Sequence, residues 1–191
     1  FNLFDNNKTV YSRARMLPPA KISGTTLEKT IIAEGSIIHA SRIEQSVVGI
    51  RSRIGHGTTV VNSYLMGNDY YETIEEMATN TAKGLPKIGI GERCYIKDAI
   101  IDKNCRIGND VRINGGAHLA NTDHPLYTAK EGIVVVKKLA VLPDGFVQGG
   151  PGRRGGFVVH MGHHGKPHGR GENALFGAKP RPGGRAPARR V

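Results

Sequence analysis

Apolar positions in this chain recur every five or six residues. They fall at Ile22, Leu27, Ile32, Ile38, Ile43, Val48, Ile54, Val60 and Leu65, and again at Ile90, Ile96, Ile101, Ile107, Ile113 and Leu119, with small or polar residues between them. A half-buried strand needs a period of two and an amphipathic helix a period near 3.6, so neither element accounts for the pattern. Hexad recurrence is what a parallel β-helix requires. Each short strand turns one aliphatic side chain inward, the chain bends, and three such faces complete a coil. A β-sandwich with strands about ten residues apart fits less well, because strict two-residue alternation is nearly absent. Glycine follows the inward residue in Ile54-Gly55, Ile90-Gly91 and Ile107-Gly108, which predicts corners needing positive φ. Asn104, Asn109 and Asn114 are expected at corners for the same reason.

The rhythm stops after Leu65. In residues 68–87, NDYYETIEEMATNTAKGLPK, Thr73 and Glu76 fit a capping box, Ile74 and Met77 form an apolar pair, and Gly84 with Pro86 ends the segment. A short helical insert over about 70–84 follows, with Tyr70 and Tyr71 packing its start against the coils. Residues 120–133, ANTDHPLYTAKEGI, read as a bulging loop. VVVKKLAVLPDGFV then supplies the last strands, with Val134 and Val136 pointing one way, Val135 the other, and Pro143-Asp144-Gly145 as a turn. The chain thus divides into a linker at 1–21, stiffened by Pro18-Pro19, a β-helix domain at 22–147 and a tail at 148–191.

Charge sharpens that division. The formal net charge is +11, but +8 of it comes from the tail, which has nine Lys and Arg and one acid. The basic balance therefore does not mark the folded part as a nucleic-acid binder. Twelve glycines and no hexads leave the tail too little apolar surface to offset its ordering entropy, so it is expected to be disordered. Arg153-Arg154-Gly155-Gly156 is a weak likeness of a single-stranded-RNA element, and nucleic acid is not expected as a partner. The tail histidines lack an acid or cysteine to complete a metal site. Cys94 and Cys105 have no zinc spacing. With no apolar run of 18 residues and no leader-like N-terminus, the expectation is a cytoplasmic protein without a membrane partner.

Several strings are more selective than the hexads: SRARMLPPAKI, SVVGIRSRIG (46–55), MGNDYYET (66–73), GIGERCYIKDAIIDKNCRIG (89–108) and GIVVVKKLAVLPDG (132–145). In that order they resemble the C-terminal part of glucose-1-phosphate adenylyltransferase (ADP-glucose pyrophosphorylase) over roughly residues 1–147. The resemblance implies an all-β fold, a left-handed parallel β-helix of hexapeptide repeats with one inserted short helix and the disordered C-terminal tail outside the family pattern. The left hand comes from the family and departs from the usual crossover rule. It also implies a regulatory and oligomerisation role in an enzyme that converts ATP and glucose 1-phosphate to ADP-glucose and pyrophosphate for glycogen biosynthesis. Mg²⁺ and ATP belong to an N-terminal nucleotidyltransferase domain, of which this sequence shows no Gly-rich loop, so the fragment alone is expected to be inactive. The implied partners are that domain, further copies in a tetramer, and anionic sugar-phosphate or phosphoglycerate effectors.

The resemblance implies effector-binding roles for Arg15 before LPP, Lys103 in IIDKN and Lys138 in VVVKKLAV, with Lys137 as an adjacent candidate. Ammonium and guanidinium groups from separate segments hold phosphate through charge-assisted bonds. The bland alternative for each is a solvated surface cation. An enzymatic alternative is a hexapeptide-repeat acyltransferase using a loop histidine as general base, with His124 or His118 as the candidate. The tail, having no family counterpart, reads as a reading-frame or cloning product.

Overall fold

The computed structural model describes Asp5, Asn7, Lys8 and residues 15–148. Three parallel sheets run the length of the coiled body. The first face stacks Lys21–Ile22, Ile37–Ile38, Arg53–Ile54, Gly89–Ile90, Arg106–Ile107 and Val141–Leu142. The second stacks Thr26–Glu28, Arg42–Glu44, Thr59–Val61, Tyr95–Lys97 and Arg112–Asn114. The third stacks Ile31–Ile32, Val47–Val48, Tyr64–Leu65, Ala99–Ile101 and Ile133–Val136. All pairings between Lys21 and Asn114 are parallel, so the coil expected from the hexads is present and the sandwich is not.

The register explains the period. Ile38, Ile54, Ile90, Ile107 and Leu142 superpose on the first face, Ile43, Val60, Ile96 and Ile113 on the second, and Val48, Leu65, Ile101 and Val136 on the third. All are buried and form one core. Each contributes about 1.5–3 kcal/mol of hydrophobic stabilisation when fully buried. The first rung differs: Ile22 and Leu27 are each 41% exposed, so the stack opens at that end among the described residues. The outward column of the third face is also apolar, running Ile31, Val47, Tyr64, Ile100 and Val135 in register.

Several local expectations need correction. Gly55, Gly91 and Gly108 are not among the positive-φ residues. They are glycine for want of room: a Cβ would lie 2.6 Å from the Gly91 oxygen at Gly55, 2.5 Å from the Gly108 oxygen at Gly91 and 2.6 Å from the Asp144 nitrogen at Gly108. Asn104 does take the left-handed conformation (φ 60°), but Asn109 and Asn114 do not. Asn109 works through its side chain, its Oδ1 accepting from Glu92 N at 2.9 Å, and Asn114 ends a strand. The left-handed corner residues between the second and third faces are instead Lys29, Gln45, Asn62 and Asp98.

The stretch taken as a loop at 120–133 is an antiparallel extension of the third sheet. Thr122–Asp123 pairs with Tyr127–Lys130, which pairs with Ile133–Val136 across Glu131-Gly132, both at positive φ. Tyr127 and Ala129 are buried while Lys130 is exposed, a two-residue alternation that the hexad template hides. Leu119, expected as the next inward hexad residue, is only partly buried against the core, and Val136 fills the position above Ile101. The tail lies outside the described residues, and with it the expected disorder, the RNA-like element and the histidines.

Candidate anion-binding site

The insert is a helix at Ile74–Ala82 with both halves of the capping box made: Glu76 N donates to Thr73 Oγ1 at 3.1 Å and Thr73 N donates to Glu76 Oε2 at 2.8 Å. The expected apolar pair does not anchor it. Ile74 is 82% exposed and no helical residue is buried. The anchor is polar. Glu72, its side chain 3% exposed, meets Arg106 at 2.6 Å and accepts from Ile88 N at 2.8 Å and Asn80 Nδ2 at 2.7 Å. Burial pushes the Glu72 carboxyl upward, but these three donors outweigh it and hold it below the usual range.

The residues before the helix lie along one corner of the coil. Tyr71 hydroxyl donates to the Gly35 oxygen at 2.7 Å, and the Arg51 guanidinium lies 5.7 Å from the Tyr71 ring centre. Tyr71 therefore packs against the coils as expected, while remaining 43% exposed, and no such contact among the described residues fixes Tyr70, which is 45% exposed. Asn68 Nδ2 donates to the Arg51 oxygen at 2.9 Å. Asp69 N donates to Asn104 Oδ1 at 2.8 Å, and Asn104 Nδ2 donates to Asp69 Oδ2 at 3.0 Å.

That corner carries the expected effector residues. Leu139 N donates to the Lys103 oxygen at 3.0 Å, which sets Lys103 and Lys138 on neighbouring rungs. Lys103 Nζ lies 2.7 Å from Asp69 Oδ1. The hydrogen bond from Lys103 does most to hold the Asp69 carboxyl low, followed by that from Asn104; burial opposes them, and the charges of Lys103 and Lys138 add to the lowering. Lys137 points to a different acid, with its Nζ 2.8 Å from Asp123 Oδ1. Arg15 is exposed and stands three residues before Pro18, which lies at the other end of the same corner. Through the bonds Gly35 N to Pro18 O, Arg51 N to Glu34 O, Asn68 N to Ile50 O and Asn104 N to Gly67 O, the Pro18 level lies four rungs from Asn104, roughly 19 Å at strand spacing. The structure sets Lys103 and Lys138 on neighbouring rungs and enters the coil after Arg15 at the far end.

His124 lies in the hairpin, where its Nδ1 accepts from Leu126 N at 3.2 Å and its ring stacks on Tyr127 at 4.7 Å. His118 is exposed beside Gly116. Cys94 and Cys105 are buried free thiols whose Sγ atoms donate to Gly108 O and Lys137 O at 3.1 and 3.2 Å. Burial pushes Cys105 up to about 12 and Cys94 upward as well, so both are poor nucleophiles.

Sequence reasoning missed a histidine ladder on another corner. His39 and His56 stack on successive rungs with ring centres 4.6 Å apart, and His39 Nδ1 is buried without a partner among the described residues. Burial, then the positive charges of His56, Lys21 and Arg53, holds His39 below its ordinary 6.5. The folded state thus binds fewer protons than the unfolded chain, and stability is expected to fall as pH drops below about 6.5 through the lowered folded value. Urea midpoints across that range should show this slope, and it should flatten in His39→Gln; an unchanged slope in the variant would assign it elsewhere.

No helix among the described residues is long and apolar enough to cross a membrane. A family model, the GLGC left-handed parallel beta-helix domain, matches residues 15–147.

Proposed function

The chain belongs to the GLGC left-handed parallel beta-helix domain family, and from that premise we propose that it is the regulatory and assembly part of a glucose-1-phosphate adenylyltransferase, receiving phosphate-bearing effectors at the Lys103 and Lys138 corner. The carrying observation is the stacking of these two lysines, 35 positions apart in sequence, on adjacent rungs. Lysines on rungs one strand spacing apart can each donate to a different oxygen of one phosphate. Arg15, three residues before the Pro18 level, contributes to a second anion position or to one shared with another chain. The apolar outward column of the third face, with Ile31 and Tyr64 exposed and Val47, Ile100 and Val135 half-buried, supports assembly with further copies, since an apolar stripe left open to solvent is what protein contacts cover.

Adenylyl transfer itself is assigned to a nucleotidyltransferase domain outside these residues. Mg²⁺ and ATP are assigned to that domain with the transfer step.

Calorimetric titration with a hexose bisphosphate tests the effector reading. The chain should bind it, and Lys103→Ala/Lys138→Ala should weaken binding by about tenfold or more, since a hydrogen bond to a charged group is worth about 1.5–3 kcal/mol. Equal affinity in the double variant, or no binding by either protein, would remove these lysines from the site.

A further inference from the structure

We propose that Asp69 is a built-in carboxylate competitor at the Lys103 and Lys138 corner, so that the site takes oxyanions by exchange and prefers dianions to monoanions. The inference rests on reading that corner as an anion site. Asp69 Oδ1 already occupies the position beside Lys103 Nζ, 2.7 Å away, that an effector oxygen would take. Its attachment has two parts with different strengths. The backbone is fixed by Asp69 N donating to Oδ1 of Asn104, a residue 7% exposed and held in the left-handed conformation. The carboxylate is the accessible part: its Oδ2 accepts from Asn104 Nδ2 at 3.0 Å and its Oδ1 faces Lys103, and the Asp69 and Lys103 side chains are 41% and 33% exposed. Turning Oδ1 away from Lys103 leaves the backbone bond to Asn104 in place, which makes the ion pair a latch.

The chemical consequence is selectivity. A tethered carboxylate meets the ammonium at an effective concentration in the millimolar range. A free monoanion brings no greater charge and gains little by replacing it. A phosphate dianion carries more charge and has oxygens enough to engage Lys103 and Lys138 together, so it displaces the carboxylate. The neighbouring pair provides an internal comparison. Lys137 Nζ is held by Asp123 at 2.8 Å, but Asp123 sits on the hairpin with its side chain 79% exposed and has no bond to Asn104 among its hydrogen bonds.

Titration of the 191-residue chain with inorganic phosphate and with acetate tests this, with binding followed at the Asp69 and Asn104 amides by NMR. Asp69→Asn keeps the shape and the Asn104 contacts but not the charge. It should bind phosphate about three- to fivefold more tightly, the severalfold that an exposed ion pair is worth, and should prefer phosphate over acetate less than the parent does. Asp69→Ser, too short to reach Lys103, should behave alike, and Asp123→Asn should bind as the parent does. If Lys103→Ala abolishes phosphate binding while both Asp69 variants bind no better than the parent, the competitor role is wrong and the anion site stands. Should Lys103→Ala bind phosphate as well as the parent does, the anion site and the competitor fall together.

Discussion

Arg106→Ala is expected to destabilise this protein by about 3–5 kcal/mol, the usual cost of removing one partner from a buried ion pair. The arginine side chain is 16% exposed and the Glu72 carboxylate 3%, with 2.6 Å between them. Arg106 also donates to the Pro86 oxygen at 2.8 Å, so it closes both ends of the insert onto the first face. Without it, a carboxylate that still accepts from Ile88 N and Asn80 Nδ2 stays buried with its main countercharge gone. Glu72→Gln should cost less, because an amide oxygen can keep those bonds and no charge is left behind. The pH dependence follows from the sign. A carboxyl held below its ordinary 4.5 stabilises the fold above that value, and this stabilisation is lost as pH falls through the lowered folded value. Arg106→Ala should therefore unfold at lower urea concentration near neutrality and lose less on acidification than the parent. A shift in midpoint worth under 1 kcal/mol at unchanged denaturant slope would mean that the clamp is not what holds the insert.

Gly91→Ala should cost about 3 kcal/mol, the upper end of the range for overpacking. Its Cβ would stand 2.5 Å from the Gly108 oxygen and 2.6 Å from the Gly108 carbonyl carbon, and the obstruction is backbone that cannot rotate away. Relief requires the rungs to separate, which stretches the hydrogen bond from Gly91 N to the Ile107 oxygen, now 2.8 Å. Gly145→Ala is the comparison: at φ 69° with nothing within 4 Å of the added carbon, it carries conformational strain alone, about 1–2 kcal/mol. Thermal melts of the two variants would separate collision from strain. Equal destabilisation would overturn the stacking explanation for this glycine column.

How much of this was legible in the chain depends on the range of the contact. Ile38, Ile54 and Ile96 announce their inward positions because every rung repeats the same local step. The capping box was equally legible, since Thr73 and Glu76 are three residues apart and bond to each other. Ile74 misled: an apolar residue on a short helix reads as an anchor, yet the polar clamp of Glu72 does that work from 34 positions before Arg106. The hairpin at Thr122–Lys130 was hidden because its two-residue alternation is brief and sits where a further hexad could begin. Lys103 and Lys138 were marked by resemblance alone, and nothing in their local sequence declares them neighbours.

The sequence by itself determined the coil, its three faces and the place where a helix interrupts it, because burial of one aliphatic side chain per short strand is a local and repeating demand. Which charges meet was settled by how the rungs stack. Stacking turns the 35 positions between Lys103 and Lys138 into one rung, yet leaves Pro18, where the chain enters after Arg15, four rungs from Asn104. Those distances are set by how many coils intervene and where the insert and hairpin leave the stack, which hydrophobic period alone does not specify.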